Sequence, residues 1–154
     1  MKIIPRTFPF FMVAALLLCL TTPAIGGAED EIYTNWRGLA IKGYDPVAFF
    51  QQGTPVKGLG EFELNWKEAK WRFASAENRD LFKADPEQYA PQYGGYCAWA
   101  VSEGYTASVD PKNAWEIVDG KLYLNYDKEI QAKWAKDIPG NIVRADANWP
   151  GVLE

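Results

Sequence analysis

The sequence predicts an α+β fold, small antiparallel hairpins packed with short helices in a single domain, and three observations carry that prediction. Two pairs of alternating apolar and polar segments are joined by short connections, two or three residues around Lys67-Glu68 and the two residues Asp119-Gly120. Between and after them lie short stretches opened by Asp or Ser and closed by Gly or Pro, the punctuation of short helices. No internal repeat, low-complexity run or linker divides the chain.

The N-terminus is read apart from this domain. Lys2 and Arg6 are followed by an almost wholly apolar run from Phe8 to Leu20, then Pro23 and the small residues Ala24, Gly26, Gly27 and Ala28. That order is a secretory signal peptide over residues 1–28, cut after Ala28 or, as the alternative, after Gly26, with an apolar core too short to span a bilayer. Cys19 invites a lipid anchor, but Leu16-Leu17-Leu18 precede it where lipoprotein processing prefers a small residue. The expectation is an exported, periplasmic protein, off the membrane once the signal is cleaved, with its domain at residues 29–154.

Losing Lys2 and Arg6 from 16 basic residues leaves 14 against 20 acidic ones, a net charge of −6. An acidic domain without a basic cluster argues against nucleic acid and anionic membrane surfaces. Seven tryptophans, eight tyrosines and the five phenylalanines beyond residue 28 supply the apolar payload of a small core. Both methionines fall within residues 1–28, the chain has no histidine, and Cys97 is the domain's one cysteine. Packing, not a disulfide within the chain, must hold it together.

Residues 29–36 read as a frayed leader, and Leu39-Ala40-Ile41 as a brief alternation ending at Gly43. Asp45 before Pro46 predicts a helix start, an N-cap acceptor followed by proline in the first turn. Gln51-Gln52-Gly53-Thr54-Pro55 ends that helix early. Residues 61–66 and 69–74 alternate with period two and form the first hairpin, one face apolar and one charged. Ser75 caps a helix to about Lys83, with Glu77 in its first turn favouring the dipole. Asp85-Pro86 opens a short helical turn carrying Tyr89. Residues 90–110 read as irregular, with a helical turn over 97–101. Asp119-Gly120 predicts the second hairpin, between 115–118 and 121–124. A helix over 127–137 follows, stopped by Pro139-Gly140, and residues 141–148 make the last one.

Several of these residues also carry a likeness. Asp45-Pro46-Val47, then Phe73, Ser75, Phe82, Pro86 and Tyr89 at their spacings, resemble the YHS domain family. The runs Tyr93-Gly94-Gly95-Tyr96-Cys97-Ala98 and Asp119-Gly120-Lys121-Leu122-Tyr123-Leu124-Asn125 resemble its exported, stand-alone members. The resemblance implies the family's fold and a binding or accessory role. Cysteine-bearing members place cysteines where this chain has Ala48, Ala74 and Asn78, and the histidine of the family name has no counterpart. The thiolate metal site does not carry over, because a Zn site wants four Cys or His ligands and Cu(I) wants thiolate, thioether or imidazole.

The candidate ligand-binding residues are Tyr93, Gly94, Gly95, Tyr96, Cys97, Tyr44 and Asp45. Tyrosines beside glycines, with Trp99, can wall a pocket for an apolar or aromatic ligand, though such residues more often form a core. Cys97 reads first as a buried small hydrophobe. Its alternative is a soft-metal ligand, two Cys97 thiolates of a homodimer holding Cu(I). Asp45 reads as a helix cap before it reads as a ligand carboxylate, and Ser75 likewise. No catalytic residue is assigned, since a cysteine nucleophile needs a base and no histidine supplies one. The functional expectation is a non-enzymatic binding or accessory protein for a small ligand or a metal ion. The alternatives are Cu(I) handling at Cys97 and a structural, subunit-like interaction role.

Overall fold

A computed structural model describes residues 28–154, so the predicted signal peptide lies outside the described residues except for Ala28. The domain is α+β, with two two-stranded antiparallel sheets and six short helices. Helix α1 (Pro46–Gln51) precedes the hairpin of β1 (Leu59–Trp66) and β2 (Ala69–Phe73), and α2 (Ala76–Ala84) and α3 (Pro86–Tyr89) follow it. After α4 (Ala98–Ser102) comes the hairpin of β3 (Trp115–Val118) and β4 (Lys121–Leu124), and then α5 (Lys128–Trp134) and α6 (Ile138–Asn148).

Alternation sets the packing. In β2, Ala69, Trp71 and Phe73 point inward, while Lys70 and Arg72 on the other face meet Glu63 of β1 at 3.6 and 2.7 Å. Helix α2, capped by the Ser75 hydroxyl accepting from the Asn78 amide, lays Phe82 against this face. Its ring stands 4.9 Å from Trp71, 5.2 Å from Phe73 and 5.6 Å from Trp66, the offset and edge-on distances aromatic rings prefer. Strand β4 divides two cores by the same period-two rule. Leu122 and Leu124 join the hairpin core, whereas Tyr123 enters a second core with Trp134, Tyr93, Tyr96 and Val101.

Both hairpins close through two residues, the expected Asp119-Gly120 and, of the two or three expected around Lys67-Glu68, those two alone, with Trp66 paired to Ala69 and Val118 to Lys121. Lys67 and Glu68 have φ of +49° and +60°, and Asp119 and Gly120 have +50° and +74°. Positive φ at both central residues lets such a turn follow the right-handed strand twist.

Three readings of the chain are corrected by tertiary contacts. Residues 29–34 are not frayed: the Glu29 amide donates to the Leu153 carbonyl at 2.8 Å, Tyr33 to Gly94 at 2.9 Å, and Ile32 is buried. The brief alternation after Leu39 gives way at Ile41 to a three-residue left-handed turn, with φ of +41°, +56° and +78° through Gly43. Pro139 and Gly140 do not end a helix; they lie in the first turn of α6, whose N-cap Asp137 accepts from the Gly140 amide at 3.0 Å. Proline lacks only an amide hydrogen that the first turn leaves unpaired anyway. The preceding helix therefore ends at Trp134, followed by a tight turn through Asp137.

Candidate functional site

The candidate residues divide among four places. Asp45 is wholly buried, and its carboxylate is a structural joint. One oxygen accepts from the Val47 and Ala48 amides at 2.8 and 3.3 Å, capping α1. The other accepts from the Ala74 amide at 2.8 Å and the Asn78 side-chain amide at 2.7 Å, tying α1 to the end of β2 and the start of α2. Four donors from the chain surround the group, which leaves it no face for a ligand.

Tyr44, next to it, is half-buried and already carries a cation. The Lys57 ammonium sits 4.0 Å over its ring and donates to the Lys42 carbonyl at 2.9 Å. Burial, and then the Asp110 charge, push the Tyr44 hydroxyl up; burial, and then Lys42, push the Lys57 ammonium down.

The run from Tyr93 to Gly95 forms a left-handed turn, with φ of +56°, +60° and +82°. Its glycines are required by contact as well as by dihedral angle. A side-chain carbon on Gly94 would run into the Glu31 carbonyl, and one on Gly95 would stand 2.9 Å from the Ile41 side chain. The turn is thus a seat for residues 29–34, not a loop held open for a ligand. Tyr93 and Tyr96 fasten that seat: the Tyr93 hydroxyl donates to Asp146 at 2.8 Å, and the Tyr96 hydroxyl to the Asp30 carbonyl at 2.8 Å. Burial raises both hydroxyls, Tyr93 strongly with Asp146 reinforcing it, and Tyr96 to about 12 with Glu29 and Asp30 adding.

Tyr93 and Gly94 border a cleft of about 330 Å³ between Trp66 and Trp149. Its lining includes Lys67, which pairs with two further lining residues, Glu31 at 2.6 Å and Glu87 at 3.4 Å. Tyr96 borders a different cleft, beside Tyr33 and Ser108.

Cys97 lies elsewhere again. It is 1% exposed and, among the described residues, forms no disulfide. Its thiol lies 3.7 Å from Asn125 Oδ1, which also accepts from the Trp99 amide at 3.1 Å. Asn125 is itself buried, and its side-chain amide nitrogen has no partner among the described residues. Burial pushes the Cys97 thiol up against opposing backbone hydrogen bonds, and the Asp127 charge adds to the rise. A raised thiol is a poor nucleophile and a poor soft-metal ligand at neutral pH. A bridge between two copies also needs the sulfur at the surface, and its burial opposes that. Among the described residues there is no group of three or more Cys, Asp or Glu able to hold a metal.

Cys97 nevertheless borders a cavity of about 230 Å³, completed by Trp99, Ala100, Tyr105, Ala107, Tyr126 and Ile130. Every one of these side chains is uncharged. The α4 turn supplies Trp99 and Ala100, the loop after it supplies Tyr105 and Ala107, Tyr126 comes from the segment between β4 and α5, and Ile130 from the first turn of α5. Tyr105 and Tyr126 are about half exposed and flank the opening. Of the predicted pocket residues, only Cys97 and Trp99 come together here. Tyr105, Tyr126 and Ile130 were not legible as a site, because their approach to Cys97 depends on how α5 docks. The one local signal was Gly104 and Asp127, turn and cap residues that leave the adjacent tyrosines outside regular structure.

Comparison of the chain with family models, with curated proteins and with solved structures finds no match.

Proposed function

We propose that this chain is a non-enzymatic binding protein of the YHS-like type, acting after export, which holds a small apolar molecule in the cavity over Cys97. The observation carrying this reading is an apolar space of about 230 Å³ with exposed tyrosines at its mouth. Binding pockets are concave, mostly apolar and built with few polar groups. A guest covering these walls removes apolar surface from water, which is favourable. The poverty of acid–base side chains agrees with binding in place of turnover. The export leader and the YHS likeness rest on the residues quoted for them.

Toluene titrated into 15N-labelled protein tests the reading. The amide signals of Ala100, Ala107 and Ile130 are expected to shift and saturate together, and Ile130→Trp, which fills the space, is expected to remove the response. Unmoved signals, or an undiminished response in the Ile130→Trp protein, overturn it.

One observation favours a second reading, a subunit-like interaction role. Trp36 is 89% exposed, with Arg37 5.0 Å over its ring, on a loop closed by two amide hydrogen bonds to the Asn35 side chain. Tryptophan and arginine are the residues on which interfaces most often depend. Concentration-dependent sedimentation that Trp36→Ala abolishes supports self-association through this loop; identical sedimentation of both proteins opposes it.

A further inference from the structure

We infer that the cavity over Cys97 is built for a planar bicyclic aromatic molecule that is neutral or positively charged, and that it rejects carboxylates. This deepens the proposed function and rests on it.

Size comes first. A dry apolar cavity of about 150 Å³ accommodates benzene, with six heavy atoms. By proportion, the roughly 230 Å³ over Cys97 accommodates about nine, the count of an indole-sized fused ring. It falls short of the 300 Å³ or more typical of drug-sized ligands.

Shape follows from the walls. Trp99, Tyr105 and Tyr126 bring three aromatic rings to one small space, and the Cys97 sulfur lies in its lining. Rings pack on rings edge-on or offset, and sulfur makes favourable contacts with ring edges. A flat guest can use all of these surfaces at once, whereas a puckered saturated ring of equal volume cannot.

Charge selects within that class. The lining contains no cation, so a carboxylate buried there would lose its hydration without a partner. Asp127 follows Tyr126 of the lining, and its Oδ1 accepts from the amide of Ile130, another lining residue, at 2.8 Å, which sets the carboxylate beside the pocket. Lys128 and Glu129 beside it are exposed, and Glu129 pairs with Lys133 at 3.2 Å. An ammonium carried on a short arm finds a counter-charge at the mouth; a carboxylate on the same arm meets one of its own sign.

Calorimetric titration of the exported protein with indole, tryptamine, indole-3-acetate and benzene tests this. Indole is expected to bind at least tenfold tighter than benzene and at least tenfold tighter than indole-3-acetate, with tryptamine no weaker than indole. Asp127→Asn keeps the helix cap, since Asn and Asp cap equally well. It is expected to lower the indole to indole-3-acetate affinity ratio at least threefold. Equal affinities for indole and indole-3-acetate overturn the charge selection, and benzene binding as tightly as indole overturns the size assignment. If toluene shifts the cavity signals but indole does not bind, this inference fails while the binding function stands. If none of these molecules binds, both fail.

Discussion

At the scale of single residues, the most constrained group is the Asp45 carboxylate. Its two oxygens are distinguishable by their donors, so replacing either by an amide nitrogen sets N–H against N–H. Asp45→Asn is expected to cost about 2–4 kcal/mol of stability, read as a lower urea midpoint with an unchanged slope, because buried donors lose their acceptor. A loss below about 0.5 kcal/mol would mean that the joint is not formed as described. The sequence identified Asp45 as a cap from Pro46 alone. Its second oxygen was hidden from that reading, since Ala74 and Asn78 are distant in the chain and carry no local mark of the contact. Cys97 follows the same pattern: a buried thiol was the favoured expectation, but nothing local announced the cavity beside it. Ellman reagent, too large for that cavity, is expected to react with Cys97 only as fast as the protein unfolds. Prompt stoichiometric labelling of the folded protein would contradict the burial on which the site rests.

At the scale of elements, the turns hold most of the backbone strain. The sequence announced the Asp119-Gly120 hairpin through its turn chemistry and the Lys67-Glu68 hairpin through alternation alone. In the second case two residues with β-carbons take the left-handed conformation, which costs about 1–2 kcal/mol per residue. Lys67 offsets part of this through its pairs with Glu31 and Glu87, which tie the turn to the N-terminal segment and to α3. Glu68 makes no such pair among the described residues. Glu68→Gly is therefore expected to stabilise the fold by about 0.5–1 kcal/mol, seen as a rise in thermal midpoint. A fall would show that the Glu68 side chain does something the contacts do not record. The left-handed turns at 41–43 and 93–95 had no such announcement. Ile41 and Tyr93 are poor residues for positive φ, and only the packing of Gly95 against Ile41, with residues 29–34 laid over Gly94, accounts for them. The same tertiary contacts convert an expected frayed leader into an ordered strap.

At the scale of the whole molecule, two cores share β4, and both shelter weakly acidic hydroxyl or thiol groups. Tyr96, with its hydroxyl raised to about 12, and Tyr93, Tyr123 and Cys97, also raised by burial, stay protonated in the fold where the unfolded chain ionises them. Above the ordinary values near 9 for the thiol and 10 for the hydroxyls, the folded state binds more protons than the unfolded one. Stability is thus fully present below about pH 9 and falls as pH rises toward 12. Urea midpoints measured across that range are expected to decline, and Tyr96→Phe is expected to make the decline shallower. A flat profile would contradict the burial of these groups. The α+β class was legible from periodicity and turn residues because local patterns determine it. The division into two cores was not, since it depends on which face of β4 each helix covers.

The binding function turns on whether the space over Cys97 admits an apolar guest in the folded protein. Xenon diffused into crystals under pressure reports this without reference to any particular ligand. A xenon site bounded by Cys97 Sγ, Trp99 and Ile130 is expected, and it is expected to be lost in Ile130→Trp crystals. Ordered water in that space, or no xenon there while other sites fill, would contradict it.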